Sequence, residues 1–176
     1  VQAAKMLATA LSTARRWSEA ELAYRHYLMA VPQDLEARAQ LGHVYHDQGK
    51  LTEAEACCRQ VVLADGRSAQ AHYHMGGVLQ SLGRAAEAAE SYRRALELDP
   101  SLADAHNNLG TLLKDQQAID DAVHDFEQAL RAQPAHGPAL TNLALIHEGR
   151  GDYARAGEYY RAAVAAHPSS AVAQHG

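Results

Sequence analysis

The side chains best equipped for chemistry in this 176-residue sequence are its 11 histidines and two cysteines. His43 and His46 stand three residues apart, which puts both on one face of a helix. His74 falls on the corresponding stretch one repeat later. Three imidazoles that meet could take zinc or nickel. No carboxylate or thiol is placed as an obvious fourth ligand. The favoured reading is therefore a set of partly exposed polar side chains, with His43, His46 and His74 kept as metal candidates and no metal or other cofactor required. The same histidines make ligand affinity depend on pH between about 5 and 7. Cys57 and Cys58 are adjacent and cannot form a framework of bridges. A reactive thiol needs an activating neighbour, and none is patterned here. Cys58 reads as a packing residue and Cys57 as pointing elsewhere, toward the surface. Asp and Glu are scattered, and neither a nucleophile–base pattern nor a phosphate-cradling glycine loop occurs. The sequence does not read as an enzyme.

Those residues need elements to position them, and composition says which kind. The chain is 47% hydrophobic and 21% charged, enough to bury a core. Alanine is abundant and only 5 prolines occur, a balance that favours helix because alanine loses no side-chain entropy there. The net charge of -5 argues against a nucleic-acid partner, which would call for a basic face. No apolar run approaches a membrane span, and no signal peptide is visible. Cytoplasm is the default compartment.

The elements recur with a fixed period. Pro32, Pro100, Pro134 and Pro168, with Gly66 in the vacant place, step by 34 residues. On that period Ala20, Ala54, Ala88, Ala122 and Ala156 share a column. So do Leu7, Leu41, Met75, Leu109 and Leu143, followed at once by Ala8, Gly42, Gly76, Gly110 and Ala144. Tyr24, Cys58, Tyr92, Phe126 and Tyr160 form a bulky column, and Leu28, Val62, Leu96, Leu130 and Val164 another. Each copy reads as two helices; in the third copy they run over residues 69–82 and 86–98. Gly49, Gly83 and Gly151 mark the turn between them, where a left-handed backbone is needed, while Arg15 and Gln117 hold the same place without glycine. Small residues let paired helices approach, and bulky columns fill the space around that contact.

These columns resemble the tetratricopeptide family, whose 34-residue signature carries L-G, Y, A, F and P at such offsets. The resemblance covers residues 1–34, 35–68, 69–102, 103–136 and 137–170, with 171–176 beginning a sixth copy. It implies an all-α solenoid, a right-handed superhelix of antiparallel helix pairs whose first helices line a concave face. The column that often carries Trp departs from the family, reading Ala4, Arg38, His72, His106 and Leu140. Neither end of the array reads as finished, which implies that the full-length protein continues or that the uncapped ends self-associate.

The same resemblance assigns the concave face to named positions. It holds Gln40, His74, Asn108 and Asn142 in one row, with Met6 breaking it, and His43 and Thr111 in another; Tyr73 and Asn107 occupy a third. Amides and imidazoles there can donate and accept, which matches the C=O and N–H groups of an extended peptide. Rungs recurring every 8–10 Å meet about every third residue of such a chain, so a ladder of Gln40, His74, Asn108 and Asn142 grips roughly ten residues. The run Ala105, His106, Asn107, Asn108, Leu109, Gly110 is similar to repeats of the O-linked N-acetylglucosamine transferases, where an asparagine ladder holds protein substrates. The carboxylate clamp for chaperone C-termini fits only Lys5 among Lys5, Thr9, Gln40, Gln70 and His74. The expected function is a scaffold binding a protein or extended peptide, with no nucleic-acid or membrane partner. The alternatives are the substrate-recruiting arm of a larger enzyme such as a glycosyltransferase, and a self-assembling oligomerisation module.

Overall fold

The computed structural model describes residues 2–166; the expected start of a sixth copy at 171–176 lies outside them. The described residues form ten α-helices: α1 Gln2–Thr13, α2 Trp17–Ala30, α3 Leu35–Asp47, α4 Leu51–Ala64, α5 Ala69–Ser81, α6 Ala85–Leu98, α7 Ala103–Asp115, α8 Ile119–Ala132, α9 Gly137–Gly149 and α10 Tyr153–Ala166. They fall into two compact units, Val1–Leu98 and Asp99–Gly176. In the first, α1–α2, α3–α4 and α5–α6 are hairpins, and α2 packs on α3 and α4 on α5. In the second, α7–α8 and α9–α10 are hairpins, joined by α8 on α9.

Each hairpin closes through one residue in the left-handed region. Its φ is 74° at Gly49, 74° at Gly83 and 77° at Gly151, but also 56° at Arg15 and 63° at Gln117. The turn geometry is thus kept where the glycine is not, at a cost that a Cβ imposes on this conformation. The linkers between hairpins are organised by side chains. Asp34 and Ser68 accept from the backbone N–H of Ala37 and Ala71 as N-caps of α3 and α5, satisfying donors that a helix start leaves orphaned. His136 does the same for α9: its Nδ1 accepts from Ala139 N at 3.2 Å, while Nε2 donates to Asp104 at 3.0 Å.

Three of the five residues in the departing column, Arg38, His72 and His106, form a polar latch. Arg38 donates to the carbonyl of Pro32 at 2.5 Å, His72 Nε2 contacts that of Gly66 at 3.2 Å, and His106 Nε2 that of Pro100 at 3.3 Å. In each case the side chain bonds the carbonyl six residues earlier. A hydrogen bond to the linker therefore replaces the aromatic packing the family places there.

The core follows the columns. Tyr24, Tyr92 and Phe126 are fully buried. A Cβ at Gly76 would come within 2.6 Å of the Tyr92 ring, and one at Gly110 within 2.8 Å of Phe126. Three positions differ from the sequence reading. Cys57 is buried rather than surface-facing: α4 is flanked by α3 and α5, so Cys57 joins the cluster of Leu41 and Val44 while Cys58 joins that of Ala54 and Val78. Leu7 is 56% exposed although Leu41, in its column, is 6% exposed. In the other terminal hairpin Val164 is 55% exposed against 9% for Leu28. Among the described residues no further helix packs on these side chains as one does on their counterparts.

Candidate functional site

The eight residues expected to line a binding face lie on first helices, in two groups that belong to different units. In the first unit α3 carries Gln40 and His43, and α5 carries Tyr73 and His74. His43 and His74 meet edge to face, their Nε2 atoms 3.1 Å apart. The Gln70 amide lies 2.8 Å from the same His74 nitrogen. An unprotonated His74 Nε2 has one lone pair, which accepts either from the Gln70 amide or from an Nε2 hydrogen of His43. Burial penalises the charged form of both rings. It pushes His43 below the usual histidine range, partly offset by Asp47 and reinforced by His46. Burial and the His43 charge push His74 down to about 4. Tyr73 leans on both His74 and Tyr92, with ring centroids 5.2 and 6.0 Å away.

His46, the third metal candidate, leaves this pair and contacts Ser81 Oγ at 2.8 Å. Among the described residues no group of three or more His, Cys, Asp or Glu gathers to hold a metal ion. Gln40 is partly buried, and Met6 is 67% exposed. Lys5, the one residue matching a carboxylate clamp, is spoken for: its ammonium holds Asp34 at 2.9 Å and Glu36 at 2.6 Å. The hydrogen bonds it donates to Glu36 and Asp34 raise its pKa.

In the second unit α7 and α9 build a continuous polar chain. Asn142 Nδ2 donates to Asn107 Oδ1 at 3.3 Å, and Asn107 Nδ2 donates to Asn108 Oδ1 at 3.3 Å. Lys114 Nζ donates to Asn142 Oδ1 at 2.9 Å, and Thr111 Oγ donates to the Asn107 carbonyl at 2.9 Å. Asn107 is buried, so it acts as the anchor that orients its two neighbours. An amide offers two donors and two acceptor sites. Asn142 uses one of each here and keeps one of each. The sequence reading put the three asparagines and Thr111 among its site residues but not Lys114 or Gln70, which join these networks. Their partners sit 28 and 4 residues away, and only the second spacing shows as helical proximity in a sequence.

Among the described residues no helix is long and apolar enough to cross a membrane. Family models described as tetratricopeptide repeat match residues 11–75 and 107–171, and one described as TPR repeat matches 78–117. Comparison with curated protein sequences returns no match. Solved structures are similar along nearly the whole chain. The crystal structure of MamA is 26% identical, covers 93% of this chain and 96% of that one, and superposes with a TM-score of 0.77. YrrB, described as a TPR protein with an unusual peptide-binding site, is 23% identical over 98% of this chain and 89% of its own, with a TM-score of 0.68. PilF of Pseudomonas aeruginosa is 22% identical over 94% and 75%, with a TM-score of 0.86.

Proposed function

This chain belongs to the tetratricopeptide repeat family, and we propose that it is a protein-interaction scaffold whose polar first-helix faces bind an extended segment of a partner protein. The observation that carries this reading is the Asn107–Asn142–Lys114 network on α7 and α9. Amides that are held by other side chains do not have to lose rotamer freedom when a ligand arrives, which lowers the entropic cost of binding. Their remaining valences suit a backbone C=O and N–H rather than one particular side chain. The face of α3 and α5 contributes differently: a neutral imidazole pair beside Tyr73 offers an aromatic surface with polar edges. A similar protein, YrrB, carries a peptide-binding site by its own description, which supports the same use here.

The test is selection of binders from a random dodecapeptide library on the intact chain. Selected peptides are then measured against the Asn108→Ala, Asn142→Ala double variant. We expect affinity to fall about tenfold or more, as lost amide contacts at a desolvated site do. Unchanged affinity would remove these asparagines from the site.

A further inference from the structure

The three lysines of the sequence end on different kinds of partner. Lys5 holds two carboxylates, Asp34 and Glu36. Lys50 holds Glu21 at 2.6 Å. Lys114, half-buried in the last turn of α7, donates instead to the neutral amide of Asn142 at 2.9 Å. Among the described residues no carboxylate pairs with it. Asp115, beside it in the chain, is exposed. Glu148 holds the register position of Lys114 on α9 and turns to Tyr160, which donates to it at 2.9 Å. An ammonium can only donate. It therefore sets the Asn142 amide with Oδ1 toward itself, which leaves Nδ2 to donate to Asn107 and the Asn107 amide to donate to Asn108. One charge orients the whole row. The amide oxygen steers that charge without neutralising it, and a half-buried ammonium is less well solvated than an exposed one. On the face of α7 and α9 this is where a negative charge gains most.

We infer that the α7–α9 face selects an acidic side chain, an Asp or Glu within the bound segment, through an ion pair with Lys114. This rests on the reading above that the polar first-helix faces bind an extended peptide. The asparagine row then meets backbone C=O and N–H groups, which carry no net charge and leave Lys114 unanswered. Because the chain runs past the row, the carboxylate stands out from it as a side chain rather than ending it. Lys114 gives one of its three N–H donors to Asn142. The other two can hold a carboxylate while the row keeps its orientation. Charge complementarity of this kind fixes the register of a segment whose backbone contacts alone would let it slide. Lys114 shares no register position with the clamp set Lys5, Thr9, Gln40, Gln70 and His74, so the recognition is of a residue inside a chain and not of a chain terminus.

The probes are the dodecapeptides selected on the intact chain, displayed with their C-termini joined to the carrier and then synthesised as amides, so that only side chains present carboxylates. Asp or Glu should be enriched at one position, and its change to Asn or Gln should weaken binding about fivefold. Lys114→Gln should cost the acidic peptide about the same fivefold, with no further loss when the two changes are combined. Lys114→Arg keeps the charge and should hold affinity to within about twofold. Added salt should weaken binding to the wild type more steeply than binding to Lys114→Gln. Circular dichroism checks that the variants stay folded. Selected peptides with no acidic preference, or equal losses for Lys114→Arg and Lys114→Gln, overturn the ion pair. So does a loss confined to the Asn108→Ala, Asn142→Ala variant, which leaves the peptide-binding reading standing without it. Acidic peptides that bind only with a free terminal carboxylate overturn it as well. A library that yields no saturable binder removes both readings together.

Discussion

His43 on α3 and His74 on α5 face each other with ring centroids 3.9 Å apart and planes at 86°, sharing one hydrogen bond between their Nε2 atoms. That bond needs at least one unprotonated nitrogen. Burial lowers both pKa values, His74 to about 4, while an unfolded histidine titrates near 6.5. As pH falls from about 6.5 toward about 4, the unfolded chain takes up protons that the native pair refuses, so stability falls through that window. Above about 6.5 the pair is neutral in both states and contributes no slope. Thermal melts of the wild type should show this acid-side loss, and the His43→Gln, His74→Gln variant should flatten it. An identical pH profile in the two proteins would show that the pair is not responsible.

The glycines under the aromatic column set a ranking of costs. A Cβ at Gly76 meets the Tyr92 ring at 2.6 Å and one at Gly110 meets Phe126 at 2.8 Å, whereas one at Gly42 meets Cys57 Cβ at 3.2 Å. Alanine favours helix by up to about 1 kcal/mol over glycine, but overpacking a buried ring costs about 1–3 kcal/mol. Gly76→Ala and Gly110→Ala should each destabilise by about 1–2 kcal/mol in urea melts, and Gly42→Ala by less. Equal midpoints for all three would show that the rings yield freely.

The turn residues lead to the opposite sign. Gln117 and Arg15 hold φ of 63° and 56°, a conformation three other hairpins assign to glycine. Gln117→Gly relieves a left-handed strain of about 1–2 kcal/mol while adding backbone freedom to the unfolded chain. The net expectation is a gain of about 0.5–1 kcal/mol, with Arg15→Gly similar. A loss of stability at either site would mean that the side chain makes a contact worth more than the strain.

The latch residues differ in the partners they face. His106 Nδ1 lies 2.8 Å from Asp125 and Nε2 3.3 Å from the Pro100 carbonyl; both partners only accept, so a neutral ring donates to one of them and the imidazolium to both, whereas His72 has the Gly66 carbonyl alone. With about 1 kcal/mol for a typical hydrogen bond and more for one to a charged group, His106→Ala should cost about 1 kcal/mol more than His72→Ala. Chemical denaturation of the two variants checks the order.

The architecture was legible because a 34-residue period constrains all five copies at once. A column of alanines and a column of aromatics can be satisfied only by a helix pair repeated in step. Helix limits fell within one residue in the third copy, where Ser81 and Ala85 replace the expected ends at 82 and 86. What periodicity does not supply is which polar side chains pair. Asn142 with Lys114, and His43 with His74, are separated by 28 and 31 residues, and their meeting depends on rotamers and on small shifts between neighbouring helices. The departing column shows the same limit: Arg38, His72 and His106 look like failures of an aromatic position until the carbonyls of the linker appear beside them. Cys57 was misread because one apolar face was assumed for α4, and a helix between two neighbours has two.

The buried cysteines give the protein an internal clock. Burial pushes the Cys58 thiol up to about 12 and raises that of Cys57, so neither is appreciably thiolate at neutral pH and neither is presented to a reagent. Alkylation then waits on separation of α4 from the helices on either side. Its rate counts how often the second repeat lets go, a motion that spectroscopy averaged over ten helices would pass over.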